Sequence, residues 1–212
     1  MIRIAAALTL VVCQAVSAAP VAEKDYFAIN PGQPTSDPTK IVVTEFFNYQ
    51  CPHCYSFAKP FDTWSKGLPA DVKTERVAVS IGHATWMPMA QAFYALTAMK
   101  AVPALDDSIF AAIHRQRAQL VNEADIAAWL GKQGVDPAEF TKVYRSFSVQ
   151  LNTKRADELS RSHRLPSVPT LVIDGRYMVP IADNGKFDEQ LEVVNFLIEK
   201  ARQERARAKP GR

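Results

Sequence analysis

Two cysteines separated by two residues, Cys51 and Cys54, are the residues of this sequence best suited to chemistry. Two thiols at this spacing can close a small disulfide ring, or they can act as two ligands of a metal ion. His53 lies between them and adds a polarisable ring that can carry a positive charge beside a thiolate. The motif therefore allows thiol–disulfide exchange or metal binding, and the flanking residues must distinguish the two.

The motif lies at the junction between a predicted strand and a predicted helix. The β-branched, apolar run Ile41–Phe47 that precedes it is typical of a buried strand. Apolar residues recur at helical spacing after it, and Pro52 suits the first helical position, where a missing N–H costs nothing. We therefore expect Cys51 at the exposed start of a helix, where free N–H groups and the helix dipole stabilise a thiolate.

A family resemblance rests on this motif and on a second one far downstream. The strand, the tetrapeptide Cys51-Pro52-His53-Cys54 and the distant Val168-Pro169-Thr170 together resemble the DsbA family of periplasmic thiol:disulfide interchange proteins, in the thioredoxin superfamily. The resemblance covers nearly the whole chain after residue 19. A bare C-x-x-C is weak evidence, whereas the combination of these two motifs is highly specific.

The resemblance implies an α/β fold, a thioredoxin-like domain interrupted by an inserted helical domain. It implies an enzyme, a protein dithiol oxidase, which donates its redox-active Cys51–Cys54 disulfide to reduced secreted proteins during oxidative folding. The implied partners are these substrate proteins, as they enter the periplasm, and a membrane-embedded, quinone-linked reoxidising protein of the DsbB kind. Neither a cofactor nor a resident metal is expected.

Four further site residues take their roles from the resemblance. His53, with Pro52, is expected to tune the pKa of Cys51. Val168 and Pro169 are expected to bind substrate, and the family places a cis peptide bond between them, packed against the two cysteines.

Glu45 is a carboxylate inside an otherwise apolar strand, where burial is costly unless the charge is paired or neutral. From the residues alone it either faces solvent at the strand end or is buried near Cys54. The resemblance favours burial, which raises the pKa of a carboxyl and suits a proton relay. Arg76, in a second predicted strand over Val72–Ile81, either pairs with Glu45 or faces solvent, and the solvent-facing arrangement is the favoured expectation.

Residues 1–19 have the pattern of a secretory signal peptide. Arg3 precedes a short, mostly apolar run, and Val16-Ser17-Ala18 offers small residues for cleavage. An uncleaved membrane anchor is the alternative, but the run is short for a membrane span. Cleavage would remove Cys13 and leave two cysteines in an oxidising compartment, so we expect a periplasmic protein.

The rest of the chain is predicted to form a discontinuous thioredoxin-like domain, residues 20–82 and 157–212, around a helical domain, residues 83–156. Residues 21–40 suggest a short edge element and a loop. Asp174-Gly175 predicts a two-residue hairpin turn. Apolar spacing and end signals predict the helices Pro88–Lys100, Asp106–Arg117, Glu123–Lys132 (after an Asn122 cap), Thr153–His163 and Phe187–Ala206. A further helix is predicted to start at Asp136-Pro137 and to include Phe147.

The composition and the motifs limit the alternatives. A formal net charge of +3 gives no case for a nucleic-acid partner. A structural zinc site needs four ligands, and the motif supplies two. An inert structural disulfide is a second alternative. A disulfide isomerase or reductase of the same superfamily is a third, although such isomerases are usually dimers with an N-terminal dimerisation domain, for which residues 21–40 are too short.

Overall fold

A computed structural model describes residues 19–182 and 184–208, so the predicted signal peptide, apart from Ala19, lies outside the described residues. The fold is built on a five-stranded sheet. This sheet contains β1 (Phe27–Ala28), β2 (Ile41–Phe47), β3 (Val72–Ala78), β4 (Thr170–Ile173) and β5 (Tyr177–Pro180), in the spatial order β1–β5–β4–β2–β3.

The strand before the cysteine motif, β2, is an interior strand of this sheet. It runs parallel to β3 and antiparallel to β4. All of its residues are buried, as expected for an apolar strand that is covered on both faces. At the opposite edge, β1 pairs with β5, which confirms the predicted short edge element.

Helices pack on the sheet and separate its strands along the chain. Of the helices described, none is both long enough and apolar enough to cross a membrane. They are α1 (Pro52–Ser65), α2 (Met87–Ala98), α3 (Val102–His114), α4 (Glu123–Lys132), α5 (Pro137–Tyr144), α6 (Phe147–Ser162) and α7 (Phe187–Ala208), with a short 3₁₀ turn at Ala84–Trp86.

Two hydrophobic cores meet at the sheet. One contains Phe46 and Phe47 of β2 and extends through helices α2 to α6. The other contains Val43 of β2 and joins the sheet to α7 and to Phe57 and Phe61 of α1. The two sides of α1 take part in different cores, since Cys54 belongs to the first. Helix α1 is thus held in place by both cores.

Helices α2 to α6 all lie between β3 and β4, so a helical segment is inserted into a mixed α/β fold. Its last helix, α6, is continuous from Phe147 to Ser162, and the expected domain boundary after residue 156 falls within it. The two parts therefore share one continuous helix.

Capping residues explain where the predicted and observed ends of the helices agree and where they differ. Asn122 caps α4 by accepting a hydrogen bond from the Asp125 N–H, as predicted. The helix that starts after Asp136 ends at Tyr144 instead of including Phe147, because Ser146 caps a new helix, α6.

Two other predicted boundaries need correction. Helix α1 itself continues through Pro60 to Ser65. The strand predicted to reach Ile81 ends at Ala78. Ile173 pairs with Tyr177, so three residues, not two, connect β4 and β5.

Gly175 in this connection is required by a close approach of two loops. Its φ is +64°, and a Cβ atom there would lie 2.0 Å from the carbonyl oxygen of Gln33. The Gln33 N–H donates a hydrogen bond to the Gly175 carbonyl at 2.8 Å. The loop that follows β1 therefore packs directly on the hairpin.

Candidate active site

Cys51 occupies the N-cap of α1, and Pro52 begins the helix, as predicted. The Cys54 N–H points back to the Cys51 sulfur, with 3.4 Å between nitrogen and Sγ. A cap side chain normally accepts such a bond through oxygen, and here sulfur takes its place. This geometry stabilises the Cys51 thiolate, and the thiolate is the reactive form of a cysteine.

Both cysteines are free thiols in the structure, and both are buried. The expectation of an exposed Cys51 is wrong, since only 3% of its surface is accessible. The loop before β4 covers it, and Cys51 Sγ donates a hydrogen bond to the Val168 carbonyl at 3.4 Å. The Val168–Pro169 peptide bond is cis, as the family resemblance implies.

The two thiols differ in acidity. A hydrogen bond from the Cys54 thiol, the backbone N–H groups of Cys54 and His53, and the charge of the exposed His53 ring lower the pKa of Cys51 to about 7, although burial opposes them. Burial, followed by the interaction with Cys51, raises the pKa of Cys54 well above its ordinary value. Cys51 is therefore the thiol that ionises first.

Glu45 is completely buried in β2 and pairs with Arg76 of β3. Arg76 Nε donates to Glu45 Oε2 at 2.7 Å, and the guanidinium lies 3.8 Å from the centre of the Phe47 ring. The favoured expectation that Arg76 faces solvent is therefore wrong. The parallel register places Glu45 directly opposite Arg76, and pairing reduces the cost of burying either charge.

The second oxygen of Glu45, Oε1, is buried and has no hydrogen-bond partner in the described part of the chain. Burial raises the pKa of Glu45, and Arg76 only partly opposes this effect. The charge of Glu45 contributes in turn to the raised pKa of Cys54. Glu45 is thus a buried acid that interacts electrostatically with the second thiol of the motif.

Two residues that were not singled out from the sequence complete this buried group. Asp106 of α3 accepts a hydrogen bond from Arg76 Nη1 at 2.7 Å and another from the Tyr49 hydroxyl. From the sequence alone, Asp106 was only the predicted start of a helix, and no spacing rule links it to Arg76. The contact exists because the inserted helices fold back on the sheet.

A histidine of the insertion also supports the segment before Cys51. His114 Nε2 lies 2.8 Å from the Tyr49 carbonyl oxygen, and its ring stacks on Tyr55 with 5.0 Å between centroids. Next along the chain, the Gln50 side chain donates to the Leu120 carbonyl at 2.8 Å. The insertion therefore fixes the residues that lead into α1.

The described residues contain no group of three or more His, Cys, Asp and Glu side chains that could hold a metal ion. A cavity of about 1540 Å³ lies beside the hairpin and α7, away from the motif. Among its lining residues are Gln33, Asp174, Arg176, Arg202 and Arg205, and none of the expected site residues is among them.

Comparison with known proteins agrees with this site. Residues 36–193 match the family described as Thioredoxin. The thiol:disulfide interchange protein DsbA of Bordetella parapertussis is 36% identical over 180 residues, which cover 84% of this chain and 85% of that protein. DsbA of Pseudomonas aeruginosa is 36% identical over 188 residues, which cover 89% of this chain and 87% of that protein. The chain belongs to the DsbA family.

Solved structures of the DsbA family share the fold. The crystal structure of Pseudomonas aeruginosa DsbA matches with a TM-score of 0.82 at 35% identity, covering 90% of this chain and 97% of that one. The oxidoreductase DsbA from Xylella fastidiosa matches with a TM-score of 0.81 at 28% identity, covering 88% of this chain and all of that one. The protein is a DsbA-family thiol:disulfide oxidoreductase with a thioredoxin-like fold, a helical insertion and the C-x-x-C pair Cys51–Cys54.

Proposed function

We propose that this protein oxidises pairs of thiols in other proteins by donating the Cys51–Cys54 disulfide to them. The observation that carries the proposal is the position of Cys51 at the N-cap of α1, where the Cys54 thiol and N–H contact its sulfur and lower its pKa to about 7, while burial raises the pKa of Cys54. Stabilising the Cys51 thiolate stabilises the reduced enzyme alone, because a disulfide has no charge. Each pH unit by which the pKa falls is worth about 1.4 kcal/mol, or about 30 mV for two electrons.

In the first step a substrate thiolate attacks the Cys51 sulfur of the disulfide. The bond between Cys51 and Cys54 breaks, a substrate–Cys51 disulfide forms, and Cys54 leaves with the electron pair. A second substrate thiolate then attacks the substrate sulfur, and Cys51 leaves as a thiolate. Its low pKa makes it a good leaving group, so this release is fast.

Glu45 supplies the proton that the departing Cys54 needs. Cys54 is buried and has a raised pKa, so an unprotonated Cys54 is unfavourable there. The raised pKa of Glu45 favours its protonated form, and Oε1 is the oxygen that Arg76 does not occupy. After the transfer, the Glu45 carboxylate is stabilised by Arg76.

Val168 and Pro169 bind an extended segment of the substrate beside Cys51. The contact between Cys51 and the Val168 carbonyl supports this role, because a substrate cysteine bonded to Cys51 must lie against the same backbone. Main-chain hydrogen bonds to an added strand give affinity without requiring a particular sequence.

We place this activity in the periplasm, after removal of a signal peptide over residues 1–19. The substrates are then reduced proteins that have crossed the inner membrane. A membrane-embedded, quinone-linked protein of the DsbB kind restores the disulfide after each cycle. The family resemblance of the motifs supports these assignments.

The reduction potential of the Cys51–Cys54 pair tests the direction of the reaction. Equilibration with glutathione buffers is expected to give a potential more oxidising than that of glutathione, and the oxidised protein is expected to convert a reduced two-cysteine peptide to its disulfide. Cys51→Ser and Cys54→Ser serve as inactive controls. A potential more reducing than that of glutathione would assign the protein to the reductases instead.

A further inference from the structure

Arg76 is held between two carboxylates from different parts of the fold. Its Nε donates to Glu45 on β2, and its Nη1 donates to Asp106 on α3, each at 2.7 Å. The remaining nitrogen, Nη2, is buried and has no hydrogen-bond partner among the described residues. The single positive charge of Arg76 therefore pairs with two carboxyl groups, those of Glu45 and Asp106.

The two acids have different surroundings. The Glu45 side chain is 1% exposed, whereas that of Asp106 is 22% exposed. Asp106 also accepts a hydrogen bond from the Tyr49 hydroxyl. Glu45 has neither this solvent contact nor a second donor, since its Oε1 has no hydrogen-bond partner among the described residues. Burial accordingly raises the pKa of Glu45.

We propose that Asp106 is a positioning residue for thiol–disulfide exchange: by sharing Arg76, it weakens the pull of that charge on Glu45 and so favours the carboxyl form that can supply Cys54 with a proton. The inference rests on the proton transfer from Glu45 proposed above. When the substrate thiolate attacks Cys51, the disulfide breaks and Cys54 leaves with the electron pair. The carboxyl proton of Glu45 moves to the Cys54 sulfur, and the new carboxylate pairs with Arg76.

The charged groups around Glu45 are consistent with this role. Burial raises the pKa of Glu45, Arg76 lowers it, and the charge of Asp106 raises it again. Cys54 on α1 and Tyr49 after β2 also interact with Glu45, while Leu171, its partner on β4, carries no charge. Among these groups Asp106 alone belongs to the insertion. The inserted helices thereby take part in the chemistry of the sheet domain.

Asp106→Asn tests the inference, because it removes the charge and keeps the shape. The matched control is Asp107→Asn, at the neighbouring exposed position. In the oxidised protein, carboxyl NMR of ¹³C-labelled glutamate should show a lower pKa of Glu45 in Asp106→Asn than in the wild type, because a nearby negative charge that raises this pKa is lost. Asp107→Asn should leave it unchanged. An unchanged Glu45 pKa in folded Asp106→Asn overturns the inference.

Single-turnover oxidation of a two-cysteine peptide gives the kinetic test. Above the pKa of Glu45, Asp106→Asn should slow the reaction by up to about tenfold, since the protonated fraction falls tenfold per pH unit. Asp106→Glu should restore much of the rate. In a Glu45→Gln background, Asp106→Asn should have no additional effect, and an equal effect in both backgrounds contradicts the inference.

The same variants separate this inference from the proposal on which it rests. If Glu45→Gln oxidises the peptide at the wild-type rate at every pH, proton transfer from Glu45 is wrong, and the inference falls with it. If Glu45→Gln is slow but Asp106→Asn is not, the transfer stands and Asp106 has no part in it.

Discussion

The Sγ atom of Cys51 donates a hydrogen bond to the main-chain carbonyl of Val168, 117 residues further along the chain. Only the neutral thiol can make this bond, because a thiolate has no proton to donate. A disulfide sulfur has no proton either, so the Val168 carbonyl loses this donor both when Cys51 ionises and when it is oxidised. On the proposed function, the carbonyl of the oxidised protein is therefore free to accept a hydrogen bond from the main chain of a bound substrate.

Alkylation should distinguish the two thiols. With a pKa of about 7, about half of Cys51 is ionised at pH 7, whereas the raised pKa of Cys54 keeps it protonated. A limiting amount of iodoacetamide added to the reduced protein at this pH should therefore label Cys51. Peptide mapping by mass spectrometry locates the adduct, and label mainly on Cys54 would reverse the assignment of the reactive thiol.

His53→Ser should raise the pKa of Cys51, because it removes a charge that favours the thiolate. The protein should become less oxidising by about 30 mV for each pH unit of change. Activity should persist, since the N–H groups at the start of α1 remain. Thiolate absorbance against pH and the reduction potential are the two measurements. Lys59→Ser, which removes an exposed charge further along α1, is the control and should change neither.

The reduced protein should gain stability relative to the oxidised protein as the pH rises from about 7 to about 9. The pKa of Cys51 is about 7 in the folded protein, against an ordinary value of 9.0. A lowered pKa contributes stability that is complete above the unfolded pKa and is lost as the pH falls through the folded pKa. The raised pKa of Cys54 opposes this only above its ordinary value, so the comparison is made below pH 9.

Urea unfolding of both redox forms at several pH values measures this difference. The oxidised form lacks both thiols and shares all other titrating groups, so it serves as its own control. A difference in the free energy of unfolding that does not change with pH would mean that Cys51 is not acidic in the folded protein.

In the reduced protein, where the proposed proton transfer leaves Glu45 ionised, Arg76→Ala should cost about 3 to 5 kcal/mol of stability, because it leaves the buried carboxylate without its partner. Arg145→Ala, which breaks a pair whose arginine side chain is 69% exposed, should cost about 1 kcal/mol or less. The loss in Arg76→Ala should shrink on acidification, as Glu45 becomes protonated. Urea unfolding measures both variants. Equal losses in the free energy of unfolding would show that the buried pair stabilises the protein no more than the exposed one does.

Gly175→Ala should be much more costly than the same change at another glycine with positive φ. At Gly175 the new methyl group would lie 2.0 Å from the Gln33 carbonyl oxygen, whereas at Gly134 it would meet nothing within 4 Å. We expect a loss of roughly 3 kcal/mol or more at Gly175 and about 1 kcal/mol at Gly134. Thermal unfolding compares them, and similar losses would mean that the loop around Gln33 moves aside easily.

Local signals determined which parts of the fold could be predicted from the sequence. The β-branched run of β2, the proline after Cys51 and the Asn122 cap each act through neighbouring residues, and each element begins where it was expected. Phe147 shows how this reasoning fails. Its apolar side chain suggested an inward face, yet it is 79% exposed, because the polar Ser146 beside it starts a new helix.

The cysteine motif could be recognised from the sequence, but its buried acid group could not. Glu45 and Arg76 meet because of the register of two strands, and Asp106 joins them through the packing of the insertion. Neither the strand register nor the packing of the insertion produces a recognisable spacing of residues in the sequence. The burial of Cys51 was missed for the same reason, since the residue that covers it lies beyond the insertion.

The position of the insertion has a consequence for the order in which the chain is made. The ribosome completes Cys51 and Cys54 before α2 to α6, and it completes Val168 only after these helices. On the proposed localisation, a newly exported chain therefore presents two thiols before the segment that buries Cys51 has arrived. On the proposed function, such a chain is itself a substrate, and each mature, oxidised copy can convert the next one to its active form.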